Sequence, residues 1–427
     1  MRKALRLVVV ALVGIFVLSS CEDKVDVKGR EYPAGSVVWK KDTVVTLTDH
    51  YVIQPNKSLY IEEGVTVVFN NPAVGPEFIV LGNLYSYGTK EKPVRFTVPE
   101  SMRTEENRFA RTWGGIICGY ESQEVLLLNT IVEYAGAQTT ETSASIQFQL
   151  FKTTSGEGVP AFHACNTNGK VVIKDCTFRN NAEDHIYITG GKSIISNSVF
   201  IANGFDGGDA INYKSGCLAD VSYNLIYDAN SNAVKLSNAA ALNPHSHIFV
   251  YNNTMVNTGW RRPSVKGGSI WLEDNVIAEL YNNLLADVRW PAKRDNKKTP
   301  NAACVITPNY YYSSTTLGVT QIKADSASGR LIGTNDVLSM SAGDKNPVFK
   351  NFTQQANVNL NAGPTGEGIP TAYNKSWDFH LTSGSPAAVG GKTNFVRHWG
   401  TTGLVLDGVE YKSPAPGSHF GAFPVKL

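Results

Sequence analysis

Trp260 and Trp290 each fall seven residues after the Asn that leads a tetrapeptide, Asn253-Thr-Met-Val and Asn283-Leu-Leu-Ala. Arg261 and Arg262 follow the first Trp, Arg289 precedes the second, and Lys293 and Arg294 lie just beyond it. An indole face stacks on the apolar face of a sugar ring, and a guanidinium offers a planar fork that fits a carboxylate or sulfate. The set points to an acidic glycan. It is equally compatible with indoles folded back over a coil edge and basic groups that are merely solvated.

A second set comes from aligning Phe162-His-Ala-Cys, Ile186-Tyr-Ile-Thr, Ile211-Asn-Tyr-Lys, Val234-Lys-Leu-Ser and Ile270-Trp-Leu-Glu. Apolar residues alternate with polar or bulky ones, the period of a strand with one face buried. His163, Tyr187, Asn212, Lys235 and Trp271 then share an outward column, and two residues on the same face carries Cys165, Thr189, Lys214, Ser237 and Glu273. The bland reading is a sheet face kept soluble. The chemical one is a binding face on which Lys214, Trp271 and Glu273 touch a substrate. There Lys235 would be a general base, with His163 or Tyr187 as alternatives, and Arg261, Arg262 or Arg289 would neutralise a carboxylate.

A third set is Asp184, Asp209 and Asn232, where a long turn enters each of these strands, with Glu183 and Asp206 nearby. Carboxylates stacked on adjacent strands repel unless a cation or hydrogen-bond donors intervene. Asp184, Asp209 and Asp206 could therefore supply oxygens to Ca²⁺, or the Asp residues could cap their own turns.

The elements that must position these groups repeat along the chain. Asp175-Cys-Thr-Phe, Asn197-Ser-Val-Phe, Asn224-Leu-Ile-Tyr, Asn253-Thr-Met-Val and Asn283-Leu-Leu-Ala recur at successive gaps of 22, 27, 29 and 30 residues, with Asn129-Thr-Ile-Val lying 46 residues upstream of the first. Short strands in repeats of this length, without helical periodicity between them, predict an all-β parallel solenoid whose coils bury their inner faces by stacking. Residues 138–158, rich in Gly, Ser and Thr, read as a loop excursion between coils.

The order strand, turn, strand, Asn turn, strand, long loop resembles the right-handed parallel β-helix of the pectate-lyase-like superfamily. The resemblance implies a ladder of Asn side chains in the short turn, with Asn197 on it, strands at 185–189, 194–196 and 199–201, and a long third turn at 202–209. The segments around Trp113-Gly-Gly-Ile-Ile and Trp377-Asp-Phe-His-Leu are similar to the first and closing coils of bacterial β-helix lipoproteins, which implies one solenoid domain over 32–427. Such solenoids host lyases, hydrolases, binding proteins and adhesins, so the likeness fixes no function.

Residues 1–20 read as a leader, with Arg2, Lys3 and Arg6 ahead of an apolar run too short to be a permanent span. Leu18-Ser-Ser-Cys21 resembles a bacterial lipobox, which implies acylation of Cys21, a solvated tether over 21–31 and a place on the outer membrane of a Gram-negative bacterium, at the cell surface. An ordinary secretory signal with an incidental Cys is the alternative. Lys and Arg total 39 against 37 Asp and Glu, and losing the leader's three basic residues leaves a nearly neutral chain. That balance argues against nucleic acid as a partner. The other five cysteines lack metal-site spacing and are expected as small core residues. Phosphate loops, HExxH and Gly-x-Ser-x-Gly motifs are absent from the sequence. The expectation is a monomeric surface lipoprotein that engages a polysaccharide. A uronate lyase and a purely structural or adhesive protein are the alternatives.

Overall fold

The computed structural model describes residues 30–152, 154–205, 207–262, 267–352 and 372–426. The leader, Cys21, most of the tether and Asp206 lie outside the described residues. The chain divides into two units, Met1–Pro33 and Ala34–Leu427. The second is a right-handed parallel β-helix. Among the described residues its three sheets hold nine, eleven and ten strands, paired in parallel from coil to coil except for Arg330–Leu331, which adds antiparallel at the end of the ten-stranded sheet.

One coil shows why these residues take this form. Ile186–Ile188, Gly191–Ser196 and Val199–Ile201 are its three strands, one for each sheet. β-Branched and aromatic residues favour the pleated surface, and alternate side chains point inward. In the third sheet Ile116, Phe162, Ile186, Ile211, Val234, Ile270 and Ala292 stack in register, every one fully buried. The second sheet adds Phe178, Phe200, Ile226, Met255 and Leu285 in the same manner. Burying one such side chain contributes about 1.5–3 kcal/mol, so the columns carry the stability of the solenoid. Cys118, Cys165, Cys176 and Cys217 are buried thiols and Cys304 is half-buried, with no disulfide among them.

The short turn holds a buried polar ladder. The Oδ1 of Asn253 accepts from the backbone N–H and the side-chain amide of Asn224, both at 3.0 Å. Asn283 does the same for Asn253 at 3.1 and 2.9 Å, and Asn309 for Asn283 at 3.0 and 2.9 Å. Upstream the ladder runs through Ser198, Cys176 and Thr130. Asn197 is therefore not on it, contrary to the expectation. Asn129, Asp175 and Asn197 are the preceding residues, held at φ of 42°, 57° and 51°. Asn and Asp tolerate left-handed backbone better than other side chains, so an Asn in this turn can serve either position.

The C-terminal region also differs from the expected closing coils. Among the described residues after 372, regular pairing is limited to Asp378–Leu381 against Phe349–Asn351 and the hairpin Leu404–Leu406 with Val409–Tyr411. This segment straps the outside of the solenoid. Phe395 packs 4.3 Å from Tyr281, the buried Asp220 carboxylate accepts from the backbone of His398 and Trp399 and from Ser413, and Asp407 accepts from Tyr60 and Tyr87. An outer face carrying that many tyrosines is too apolar to leave open, and the strap covers it.

Candidate functional site

The third sheet places the side chains read from the sequence in one column. Val52, Ile79, Ile117, His163, Tyr187, Asn212, Lys235, Trp271 and Lys293 are consecutive register partners on its outer face. The column changes character along its length. Its apolar start lies beneath residues 138–158: Ala144, Leu150 and Val159 pack on Ile79, Leu81 and Ile117. Phe151 ends this cover, its ring centroid 5.2 Å from His163 and 5.5 Å from Tyr187.

Beyond Phe151 a pocket of about 270 Å³ opens, lined by Phe151, Lys152, Glu183, Asp184, Tyr187, Asn212, Lys214 and Lys235 among others. His163 does not reach it. That imidazole is 1 % exposed, lies 3.2 Å from the Thr189 hydroxyl, and is pushed by burial down to about 3, so it stays neutral. Burial, with Asp184 and Asp209 adding, holds the Tyr187 phenol well above its ordinary range.

The two aspartates meet amide donors. Asp184 accepts from the Asp209 backbone N–H at 2.6 Å and from the Asn212 side chain at 2.8 Å. Asp209 accepts from Asn212 at 3.2 Å and from the Asn232 side chain at 2.6 Å, and Asn232 accepts from Gly268 N–H at 2.7 Å. Burial first and Asp209 second push the Asp184 carboxyl up to about 7. Among the described residues, no three of His, Cys, Asp and Glu gather to hold a metal ion. The repulsion between the carboxylates is answered here by amides.

Glu273 ties the lysines together. Its carboxylate lies 3.3 Å from Lys235 and 3.8 Å from Lys214 and accepts the Trp271 indole N–H at 2.7 Å. The two lysines diverge. Burial works to lower Lys235, but Asp209, Glu273 and Asp184 outweigh it and hold the ammonium protonated above the ordinary lysine range. Burial and the neighbouring Lys235 push Lys214 down. Lys235 is thus the harder of the two to deprotonate and Lys214 the easier.

The two tryptophans are not equivalent. Trp260 is 5 % exposed and donates to the Asp287 carbonyl, leaving no open face for a sugar. Arg261 is fully buried, pairs with Asp228 at 3.1 Å and donates to the carbonyls of Asn203, Gly204 and Asp228, so it pins third turns of successive coils together. Arg262 is half-buried on Ser231. Trp290, by contrast, is half-exposed and carries two cations, the Arg289 guanidinium 3.6 Å and the Lys293 ammonium 3.8 Å from its ring centroid. Burial lowers Arg289 to about 10, and burial with Arg289 and Arg330 lowers Lys293 to about 8. No carboxylate among the described residues stands within ion-pair distance of either cation.

Two features of the site escaped the sequence reading. Lys293 extends the column by one coil, beyond the last of the repeats aligned from the sequence. Residues 138–158 form a wall of the pocket, and the signal for that was apolar Leu150 and Phe151 in a polar stretch facing apolar Ile79 and Ile117. No protein-family model, curated protein or solved structure matches this chain. The site is therefore read from its own chemistry.

Proposed function

We propose that this protein is a cell-surface lipoprotein that binds an acidic polysaccharide through the outer face of the third sheet. One observation carries the reading. Lys214, Lys235, Lys293 and Arg289 lie along successive coils of that face; among the described residues Lys214 and Lys235 share Glu273 as their ion-pair partner, and no carboxylate stands within ion-pair distance of Lys293 or Arg289. Desolvated cations in excess of their carboxylates favour an anionic ligand, and the Trp290 ring holds two of them in place. The anchor would be an acyl group on Cys21, and Cys21→Ser is expected to release the protein from membranes; retention of that variant would end the anchoring idea.

A second reading, a uronate lyase acting by β-elimination, is favoured by the divergence of the two lysines. Lys235, kept as an ammonium, would neutralise the uronate carboxylate and so acidify the C5 proton. Lys214 would accept that proton as the bond to the C4 oxygen breaks and the C4–C5 double bond forms, and would then pass the proton to the departing oxygen. The test is to incubate the soluble protein lacking residues 1–21 with a panel of uronate polysaccharides. New absorbance in the unsaturated-product band, lost in Lys214→Met, selects the lyase; retention without product selects the binding protein. No retention and no product would refute both.

A further inference from the structure

We infer that the pocket receives the end of a glycan chain and excludes internal segments, an inference that rests on the acidic-glycan reading above. Along the axis of the column the pocket is closed on one side, where Phe151 stands edge-on to Tyr187. On the other side the column continues through Trp271, 4 % exposed and fixed by its indole N–H to Glu273, to Lys293. A polymer laid lengthwise along the flank would have to pass through Phe151, so only a chain end fits against it.

The wall at Phe151 is built in. The Glu77 carboxylate is buried behind it and accepts from the Ser145 backbone at 2.7 Å and from the Ser145 hydroxyl at 2.6 Å. Either bond is charge-assisted and strong in so dry a place. The underside of the excursion buries Leu150 and Val159 on the sheet. At its far end the backbone of Gly158 lies directly on Glu183, where a Cβ would sit 2.2 Å from the carboxyl carbon. Glu183 is in turn held by Arg111 at 2.5 Å, which closes the flank of the pocket beside the third turns. A segment held at three places is not a lid.

Size points the same way. A cavity of about 270 Å³ falls at or below the lower limit of pockets that enclose a drug-sized ligand, so it has room for one sugar unit and little more. Its lining mixes donors with an acceptor, the Lys214 and Lys235 ammoniums and the Tyr187 hydroxyl with the Asn212 amide oxygen, as a terminal unit with its extra free hydroxyl would require. The remainder of the chain would run on over Trp271 toward Lys293 and Trp290.

The experiment uses the full chain in detergent, with polygalacturonate and alginate as probes, each intact and after partial hydrolysis to short oligomers at the same total mass. For whichever polymer the protein retains, half-saturation measured by calorimetry is expected to fall in mass concentration in proportion to the rise in chain ends. Half-saturation that stays constant in mass concentration would overturn the inference and leave the binding reading intact. Retention of neither polymer in any form would instead remove the reading on which it rests. Phe151→Ala gives the second arm: opening the wall is expected to shift the protein toward mass-dependent binding of intact polymer, and an unchanged dependence on chain ends would show that Phe151 is not the barrier.

Discussion

Replacing Asn253 by Leu removes the central rung of the buried ladder while keeping the size of the side chain. In the parent, the Asn253 Oδ1 is the acceptor for the Asn224 backbone N–H, and its amide donates to the Val221 carbonyl at 3.0 Å and to the Asn283 Oδ1 at 2.9 Å. The variant strips the first group of its acceptor and the other two of a donor, at a site with no access to water. A buried group left unsatisfied costs about 1–3 kcal/mol, and Asn283 still accepts from the backbone of residue 253, so the loss is about 3–5 kcal/mol. Asn197→Gly is the control. Asn197 is exposed at a φ of 51°, a conformation Gly adopts freely, and its replacement is expected to change stability by less than about 0.5 kcal/mol. Urea unfolding followed by far-ultraviolet circular dichroism reads both. A loss below about 1 kcal/mol for Asn253→Leu would mean that the ladder contributes no net stability and that neighbouring coils re-pair around the gap.

Trp260 and Trp290 are expected to separate stability from binding. Trp260→Ala empties a packed site and is expected to cost about 3–5 kcal/mol of stability with uronate affinity of the folded protein unchanged; Trp290→Ala is expected to cost roughly 0.5–2 kcal/mol of affinity and far less stability. Calorimetric titration beside thermal melts checks the pair, and the opposite assignment would refute the site. Asp184 predicts a pH dependence. Its folded carboxyl holds a proton up to about 7, whereas the unfolded chain releases it near 3.8, so folding binds the extra proton between those values and the contribution of Asp184 to stability falls as pH rises through that window. Asp184→Asn is expected to flatten this part of the stability–pH profile, and an unchanged slope relative to the parent would show that Asp184 ionises normally.

The sequence alone determined the solenoid and the register of its third sheet. Alternation with period two says which side chains face out, and a coil repeat of near-constant length says which of them stack, so His163, Tyr187, Asn212, Lys235 and Trp271 could be placed in one column by counting. Counting failed where a turn gives the same residue type two jobs, as with Asn197 beside Ser198, because a tolerance for left-handed backbone and a buried amide both select Asn. It failed again where contacts come from segments far apart in the chain. Burial of Trp260 with its indole N–H on the Asp287 carbonyl, capture of Arg261 by Asp228, closure of one side of the pocket by Phe151 and the opposite shifts of Lys214 and Lys235 each depend on packing, desolvation or charges brought near by folding. Local periodicity carries no information about those distances, and only the tertiary structure sets them.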